Sequence, residues 1–484
     1  MPGLLHRLRQ RGARWLLIGL LLGGVAQAAE GPDLALPEMG QPANQAMTPA
    51  EERRLGRQIM SEVRRKLPVM DDPLINHYVR DIGGRIASFA GAGRAFEFFT
   101  INRDQINAFA MPGGYIGIYT GLLTETQSES EFASVVAHEI AHVTQRHIAR
   151  QRLRAESVNL RTTAMMLAGL VIATQNPEAG QAAIMGGAAA GVQSRLNFSR
   201  EFEREADRIG LQALAAAGFR PEAMAEFFER LQRANRYRGE PLPFLSTHPL
   251  TKARISRARE RADSLPRRNT FESPAYPFVR ARAMVLAAAN PDQAIARFDK
   301  QIESQGQSAA RTYGRAVALI EAGRGDEAIE PLKQLIDSEG EYSIFYTTLA
   351  EAHLAEDQAG QALTVLDNGL SLYPGDYALR YTRIEALLAD GKGREALRTA
   401  DDAKRDFPSD VQLLDLRARA AQAGGDRAQQ AITTAEYYAA LGNLRGALRQ
   451  LDRILGSASV STYQRSRAEA LRERWQQRLQ RQQG

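Results

Sequence analysis

The sequence predicts a mainly α-helical protein with a small β element, in which a metal-binding domain precedes a solenoid of helical repeats. Two observations lead to this fold class. The stretch His138-Glu139-Ile140-Ala141-His142 is an HExxH motif with the spacing of metal ligands. In the C-terminal half alanines recur with a fixed period, which is that of a helix-turn-helix repeat. At 484 residues the chain is long enough for two or more domains, each with its own core.

The N-terminal segment over residues 1–28 has the organisation of a secretory signal peptide. A positive segment from Arg7 to Arg14 precedes an apolar run over residues 15–25 and a small-residue cleavage site at residues 26–28. An uncleaved membrane anchor is the alternative. Loss of the four arginines lowers the formal charge from +6 to about +2, which argues against a nucleic-acid partner. Because the chain has no cysteine, disulfides, a lipoprotein anchor and thiolate ligands are excluded. We expect a periplasmic protein and leave peripheral membrane contact open.

Proline content and apolar patterning divide the rest of the chain into three segments. Residues 29–49 hold four prolines and form a lead-in, residues 50–270 a first domain, and residues 271–484 a repeat domain with a C-terminal capping helix. Within the first domain, residues 162–192 contain two apolar runs too short to span a bilayer. They indicate either a buried helical pair or a mobile lid over the cleft.

A small β element precedes the HExxH motif. The apolar pattern is helical from Ala50 to about Phe89, and strand-like segments follow over Phe96–Ile101 and Ala108–Tyr119. The second segment predicts a hairpin beside the cleft. Its exposed edge would pair with an extended peptide substrate, and the candidate residues for this pairing are Gly113, Gly114, Tyr115 and Ile116. An ordinary buried strand is the alternative.

The HExxH motif places two imidazoles and a carboxylate on one helical face. His138 and His142 lie about 40° apart around a helix axis, so both can bind one zinc ion. Glu139 lies at the flank of this face, where it can take a proton from metal-bound water as a general base. With seven histidines in 484 residues and apolar flanks, a chance pair is improbable, and a buried His-Glu-His cluster needs a metal or a hydrogen-bond network.

The motif helix has a predicted start and end. Residues 128–131 show a capping-box spacing, and the helical pattern continues through His147 towards Arg154. On a continuous helix His147 lies five residues beyond His142, about 140° around the axis. We therefore expect His147 to be a surface or outer hydrogen-bonding residue and not a third ligand.

A second predicted helix, over residues 199–210, supplies the missing ligand. Glu203 and Asp207 are four residues apart and share a face, so one can bind the metal while the other accepts a hydrogen bond from a ligating imidazole. Glu201 and Glu205 would point elsewhere. Ion pairs with the arginines of the same helix are the alternative explanation.

Together, HEIAH at residues 138–142 and Glu203-Arg204-Glu205-Ala206-Asp207 resemble the M48 family of zinc metallopeptidases, whose second motif reads ExxAD. Residues 107–114 and 247–250 extend the resemblance. It implies a zincin-like endopeptidase domain with one Zn²⁺ per chain. The roles that it implies are metal ligation by His138, His142 and Glu203, catalysis by Glu139, and support of the ligands by Asp207.

His248 has two roles under this resemblance. It would stabilise the oxyanion, or it would occupy the open position of the zinc and hold the resting enzyme inactive. The resemblance to soluble periplasmic members with a repeat domain favours self-inhibition. A loop histidine followed by Pro249 and without either role is the remaining alternative.

The C-terminal half predicts at least four tetratricopeptide repeats. Two series of alanines recur with a period of about 34 residues, and Pro374 and Pro408 lie at successive repeat ends. The two series are Ala294, Ala328, Ala362 and Ala396, and Ala318, Ala352, Ala386 and Ala420. Alanine permits close helix packing, and stacked repeats form a partner-binding surface. Four tyrosines either line the concave face or pack in the core: Tyr342, Tyr346, Tyr373 and Tyr377.

The combination of signal peptide, M48-like domain and repeats is similar to soluble M48 proteases that act on outer-membrane β-barrels in Gram-negative bacteria. The resemblance implies unfolded or stalled barrel proteins as substrates, and contact with the barrel assembly machinery through the repeats. A chaperone or scaffold with little proteolysis is the alternative of a different class. An exopeptidase is a third hypothesis, for which nothing in the sequence closes one end of a cleft.

Overall fold

The computed structural model describes residues 47–91, 95–154, 200–236, 242–266, 270–457 and 460–483, all of which belong to one compact unit. The expected signal peptide, most of the lead-in and the apolar stretch 162–192 lie outside the described residues. The fold is mainly α-helical with one small sheet, as the sequence predicts.

The first half of the described chain contains the sheet and the helices around it. In chain order its elements are α1 (Pro49–Lys66), α2 (Pro73–Ala87), β1 (Glu97–Ile101), β2 (Ala108–Met111), β3 (Tyr115–Tyr119), α3 (Thr120–Glu125), α4 (Glu129–Thr144), α5 (His147–Arg154), α6 (Arg200–Ala216), α7 (Glu222–Asn235), α8 (Pro243–Thr247) and α9 (Lys252–Ser264).

The sheet corrects the predicted position of the substrate-pairing edge. Its strand order is β1-β3-β2, with β3 parallel to β1 and antiparallel to β2, so the predicted hairpin is confirmed. Tyr115 and Ile116 lie in the central strand, whose two sides are taken by β1 and β2. Gly113 and Gly114 form the turn between β2 and β3, with φ of 83° and 90°, which favours glycine. The expectation of a free edge over residues 113–116 is therefore wrong, and β2 lies at the edge of the sheet.

Helix α4 carries the HExxH motif through the centre of the first half, and every one of its residues is buried. Ser128 caps it by accepting a hydrogen bond from the N–H of Glu131, whose carboxylate accepts one from the N–H of Gln127. The helix ends at Thr144 and does not continue towards Arg154 as predicted.

The break in the helix lies at Arg146, which adopts a left-handed φ of 53°. Its guanidinium is buried, with Nε 2.8 Å from Glu52 Oε1 and a further hydrogen bond to the carbonyl of Met47. These contacts with the start of the domain stabilise a backbone conformation that costs free energy in a non-glycine residue. Helix α5 then begins at His147 in a new direction.

Helix α6 packs directly on α4, and Gly210 permits this approach. A Cβ atom at Gly210 would lie only 2.9 Å from the carbonyl oxygen of Ala137 and 3.1 Å from the amide nitrogen of His138. Because glycine has no side chain there, the acidic face of α6 comes within contact distance of the HExxH motif.

The second half consists of antiparallel helix pairs. They are α10 (Tyr276–Leu286), α11 (Pro291–Gln305), α12 (Ala309–Glu321), α13 (Asp326–Glu339), α14 (Ser343–Ala355), α15 (Ala359–Leu372), α16 (Tyr377–Ala389), α17 (Gly393–Asp406), α18 (Val411–Ala423), α19 (Arg427–Ala440), α20 (Leu444–Leu455) and α21 (Thr462–Gln483). All eight alanines of the two periodic series are buried between helices. The predicted helical-repeat solenoid is confirmed.

The four repeat tyrosines divide between core and surface. Tyr346 and Tyr377 are buried, Tyr342 is half-buried, and Tyr373 is exposed. Two of them therefore belong to the core and not to a concave binding surface.

Ion pairs join the two halves. Arg282 of α10 lies 2.7 Å from Asp72 before α2 and 2.8 Å from Glu351 of α14. Arg80 of α2 pairs with Asp410, which precedes α18. The predicted domain boundary at residue 270 stays a prediction. Among the described residues, no helix is both long and apolar enough to cross a membrane.

Candidate metal centre

Three segments bring four metal-ligand side chains together. Helix α4 provides His138 and His142, α6 provides Glu203, and the residue after α8 is His248; all four are buried. Nε2 of His138 lies 3.0 Å from Nε2 of His142 and 3.5 Å from Glu203 Oε2, and Nε2 of His142 lies 3.5 Å from Glu203 Oε1. The two histidines therefore direct their Nε2 atoms at one point, which the carboxylate also faces.

His248 completes this group of donors. Its Nδ1 lies 3.1 Å from Glu203 Oε1 and 3.3 Å from His138 Nε2. One donor atom from each of the four residues lies within 4.8 Å of all the others. Tetrahedral zinc bound at about 2.0–2.1 Å separates its ligand atoms by about 3.3 Å. The donor type and the spacing fit a zinc ion with His248 in the fourth position.

Glu139 lies beside the donors and is buried. Neither of its carboxylate oxygens has a side-chain hydrogen-bond partner among the described residues, and Oε1 lies 3.4 Å from Nε2 of His248. Burial raises the pKa of Glu139, although His248 and His138 act in the opposite direction. A buried carboxylate with unsatisfied oxygens indicates a ligand or water in contact with it.

Asp207 and Arg254 hold the donors from behind. Oδ1 of Asp207 lies 3.1 Å from Nδ1 of His138. Arg254 donates from Nε and Nη2 to both oxygens of Asp207, at 2.8 and 2.7 Å, and its Nη1 lies 2.8 Å from Glu203 Oε2. The same Nη1 donates to the carbonyl of Pro249 at 2.9 Å, which ties the His248 segment to both carboxylates.

Sequence reasoning missed the role of Arg254, because one arginine among many has no distinguishing spacing. Its only signal was its position shortly after residues 247–250, which resemble the family.

His147 lies deeper in the structure than a surface position would place it. His147 is buried, stacks on Phe202, and places Nδ1 2.9 Å from Nδ1 of His142. Its Nε2 lies 3.2 Å from Glu205 Oε2. A surface position for His147 is therefore wrong, because the break at Arg146 turns His147 back towards His142. The weaker part of the expectation, an outer hydrogen-bonding residue, agrees with this geometry. Glu205 is not one of the grouped metal donors, in agreement with the expectation, and contacts His147 and Arg150.

The electrostatics of the centre favour a cation. Burial alone would raise the pKa of Glu203, but His248, His138 and Arg254 outweigh it and hold the pKa well below its usual range. Burial lowers the pKa of His142 well below 6.5, so this imidazole is neutral with a lone pair available. The buried carboxylates of Glu203 and Asp207 share one guanidinium, that of Arg254, and Glu139 adds a third buried carboxylate beside them. A divalent cation would neutralise the excess negative charge.

The free edge of the sheet lies beside this centre. A small cavity is lined by Ala110 and Met111 of β2 together with His142. Phe109 and Ala110 are half-buried, and β2 has β3 on one side only. An extended peptide paired with β2 would therefore pass next to the metal donors.

Comparison with known proteins agrees with the site and the repeats. Residues 73–262 match peptidase family M48, and residues 353–420 match the tetratricopeptide repeat. The chain is 32% identical over 372 residues to the beta-barrel assembly-enhancing protease of Escherichia coli, covering 76% of each chain. It is 34% identical over 328 residues to a putative beta-barrel assembly-enhancing protease of Vibrio cholerae, covering 67% of this chain and 68% of the relative.

A shorter similarity relates the chain to a mitochondrial enzyme. A mitochondrial metalloendopeptidase of Schizosaccharomyces pombe is 32% identical over 184 residues, which are 38% of this chain and 52% of that protein. The metal-donor cluster, the family match and the extended similarity lead to one assignment: this chain belongs to peptidase family M48, as a member with C-terminal tetratricopeptide repeats.

Proposed function

We propose that the protein is a zinc-dependent endopeptidase that binds one Zn²⁺ per chain through His138, His142 and Glu203. The observation that carries the proposal is the convergence of these three donors beside Glu139, a buried carboxylate with no side-chain hydrogen bond among the described residues. Structural ion pairing would leave no reason for an unsatisfied carboxylate at this point. A proton-transfer role provides one.

The chain's own residues account for most of the mechanism. When bound, zinc supplies Lewis-acid activation of water and of the scissile carbonyl. Glu139 takes a proton from the attacking water and returns it to the leaving amine, and its raised pKa suits both transfers. The carboxylate of Asp207 lies 3.1 Å from Nδ1 of His138, which favours a proton on Nδ1 and so keeps Nε2 free for the metal. The edge of β2 orients the substrate backbone.

His248 holds the resting site closed in this proposal. Its Nδ1 has ligand spacing to both His138 and Glu203, so it occupies the position that a water molecule needs for attack. Cleavage requires the His248 segment to move away, against the hydrogen bond from Arg254 to the carbonyl of Pro249. The other role that we consider for His248, oxyanion stabilisation, predicts the opposite effect of its removal.

The substrates follow from the relatives and the repeats. Two relatives that cover most of the chain are beta-barrel assembly-enhancing proteases, and the repeat half has the architecture of a partner-binding solenoid. We infer that the protein acts in the periplasm on unfolded or stalled outer-membrane β-barrel proteins. The repeats would recruit it to the barrel assembly machinery.

A chaperone or scaffold is the second candidate, and the position of His248 favours it specifically. A site whose fourth metal position is filled by a protein side chain holds a client without cutting it. In that case cleavage would be a minor activity of the full-length chain.

The decisive experiment combines zinc analysis with cleavage of an unfolded barrel protein, using wild type, Glu139→Gln and His248→Ala. We expect stoichiometric zinc in wild type and Glu139→Gln, with cleavage lost only in Glu139→Gln. Equal cleavage by Glu139→Gln would remove Glu139 from the mechanism. If neither wild type nor Glu139→Gln cleaves the barrel protein while both promote barrel assembly, the chaperone function replaces the endopeptidase function.

His248→Ala separates the two roles of His248 in the same assay. Faster cleavage supports self-inhibition, since the fourth position is then open to water. Lost cleavage with zinc retained supports oxyanion stabilisation, and unchanged cleavage contradicts both roles. The exposed carboxylate variant Glu303→Gln on α11 serves as the control for handling and folding.

A further inference from the structure

The first and last described helices face each other across a cavity of about 760 Å³, and no metal-donor residue lines it. Six arginines line it, three from α1 and three from α21: Arg53, Arg54 and Arg57, and Arg474, Arg478 and Arg481. The chain therefore brings together, from its two ends, a concentration of positive charge that no local sequence motif produces. We call this group the arginine groove.

The arginine groove has little compensating charge among the described residues. Glu51 is the one carboxylate in its described lining, and it accepts hydrogen bonds from the N–H and hydroxyl of Thr48. No ion pair to any of the six guanidinium groups is formed within the described ranges. Nε of Arg57 is shielded from water and has no hydrogen-bond partner there. Burial, Arg478 and Arg53 together lower the pKa of Arg57.

Other arginines between the two halves are paired. Arg282 binds Asp72 and Glu351, and Arg80 binds Asp410. Packing of the halves therefore does not require unpaired arginines. In an empty groove the repulsion between clustered positive charges destabilises the fold. When anions bind, the same charges make a favourable electrostatic contribution.

The composition of the lining indicates the chemistry of the anion. Arg53 and Arg57 are four residues apart on α1, and Arg474 and Arg478 are four apart on α21, so each helix presents a pair of guanidinium forks. Such forks bind phosphate oxygens in a bidentate manner. The six positive charges greatly exceed the single negative charge of a carboxylate or another monoanion. Ala50 is the one apolar residue in the described lining, which suits a headgroup and not an acyl chain.

We propose that the arginine groove is a binding site for a ligand that carries two or more phosphate groups. A diphosphorylated lipid headgroup and a soluble pyrophosphate-type anion share this chemistry. The site is independent of the metal centre, since none of the metal-donor residues lines it.

The test measures binding of inorganic pyrophosphate to the full chain by calorimetry, for wild type, Arg474→Gln/Arg478→Gln and Arg394→Gln/Arg398→Gln. The last variant is a matched control, because Arg394 and Arg398 are exposed, also four residues apart, and outside the groove. We expect wild type and control to bind pyrophosphate saturably. The groove variant should bind it with an affinity lower by about tenfold or more. No saturable binding by wild type, or equal affinity in the groove variant, overturns the proposal.

Vesicle flotation then identifies the source of the phosphate groups. Binding to phosphatidylcholine vesicles that contain cardiolipin, lost in the groove variant and displaced by pyrophosphate, assigns the site to a lipid headgroup. Pyrophosphate binding without vesicle binding assigns it to a soluble anion. If a polyglutamate peptide displaces pyrophosphate more effectively than cardiolipin headgroups or tripolyphosphate do, the phosphate class is overturned.

Thermal unfolding distinguishes a loss of anion binding in the groove variant from a loss of folding. Removing like charges does not destabilise the ligand-free protein, so the groove variant should unfold at or above the temperature of wild type without anion. Pyrophosphate should raise the unfolding temperature of wild type and control but not of the groove variant. If pyrophosphate raises the unfolding temperature equally in wild type, control and groove variant, the anion binds elsewhere and the proposal is contradicted.

Discussion

Nδ1 of His147 lies 2.9 Å from Nδ1 of His142, and Nε2 of His147 lies 3.2 Å from Glu205 Oε2. Since Nε2 of His142 faces the metal donors, the proton of His142 is on Nδ1 and is donated to His147. His147 is then protonated on Nε2 and donates to Glu205. The carboxylate of Glu205 thus determines which nitrogen of His142 is free to bind a metal ion, although the side chain of His147 lies between Glu205 and His142.

Replacing Glu205 should therefore weaken zinc binding without unfolding the chain. The Glu205 side chain is 24% exposed, so Glu205→Ala leaves no large cavity. We expect zinc affinity to fall by about 10–100-fold, because the tautomer of His142 is no longer fixed. Competition with a chromophoric chelator measures this. Glu222→Ala, at an exposed position on α7, is the control, and equal affinities in the two variants would contradict the proposed relay.

The sequence predicts those parts of the site that depend on local spacing. His138 and His142 share a helical face because they are four residues apart, and the same holds for Glu203 and Asp207. Likewise the period of the alanine series predicts the repeat helices, since each repeat is a local structure whose buried alanines recur at fixed positions. In both cases neighbouring residues alone determine the geometry.

The remaining features depend on contacts between distant residues. Arg146 adopts its left-handed conformation because Glu52 and Met47 hold it, and no pattern near residue 146 indicates this. The position of β2 at an edge of the sheet could not be assigned either, since it depends on β3 inserting between β1 and β2. Arg254 is of the same kind, because its carboxylate partners lie on α6, far earlier in the chain.

Arg254 should contribute strongly to stability. It is buried and binds Asp207, Glu203 and the Pro249 carbonyl together, which lysine cannot do with a single ammonium group. We expect Arg254→Met to lower the free energy of unfolding by about 3–5 kcal/mol, because two buried carboxylates lose their partner. Urea denaturation measures the change. Arg259→Met on the same helix removes an exposed pair and should cost about 1 kcal/mol or less; equal costs would show that the Arg254 contacts are not stabilising.

Arg282 should couple the two halves of the chain. It is buried, and it joins Asp72 before α2 to Glu351 in the repeats. Arg282→Met should lower the free energy of unfolding by about 3–5 kcal/mol, since both carboxylates are left buried without a countercharge. Arg315→Met, which breaks a half-exposed pair with Asp299 inside the repeats, should cost about 1 kcal/mol or less. Limited proteolysis between the halves, faster in Arg282→Met alone, would show the loss of coupling directly.

Glu385 should make the repeat half less stable as the pH rises. Burial, reinforced by the nearby charge of Glu351, raises the pKa of Glu385 from 4.5 to about 7. The folded chain therefore binds this proton more tightly than the unfolded chain does. The stabilisation is fully present below about pH 4.5 and is lost as the pH rises through about 7, by an amount of about 2–3 kcal/mol. Glu385→Gln, which stays neutral, should remove that loss, so its advantage over wild type in urea denaturation should grow between about pH 5 and about pH 8. Glu303→Gln, at an exposed position on α11, should show no such growth, and the same pH dependence in wild type and Glu385→Gln would place the titrating group elsewhere.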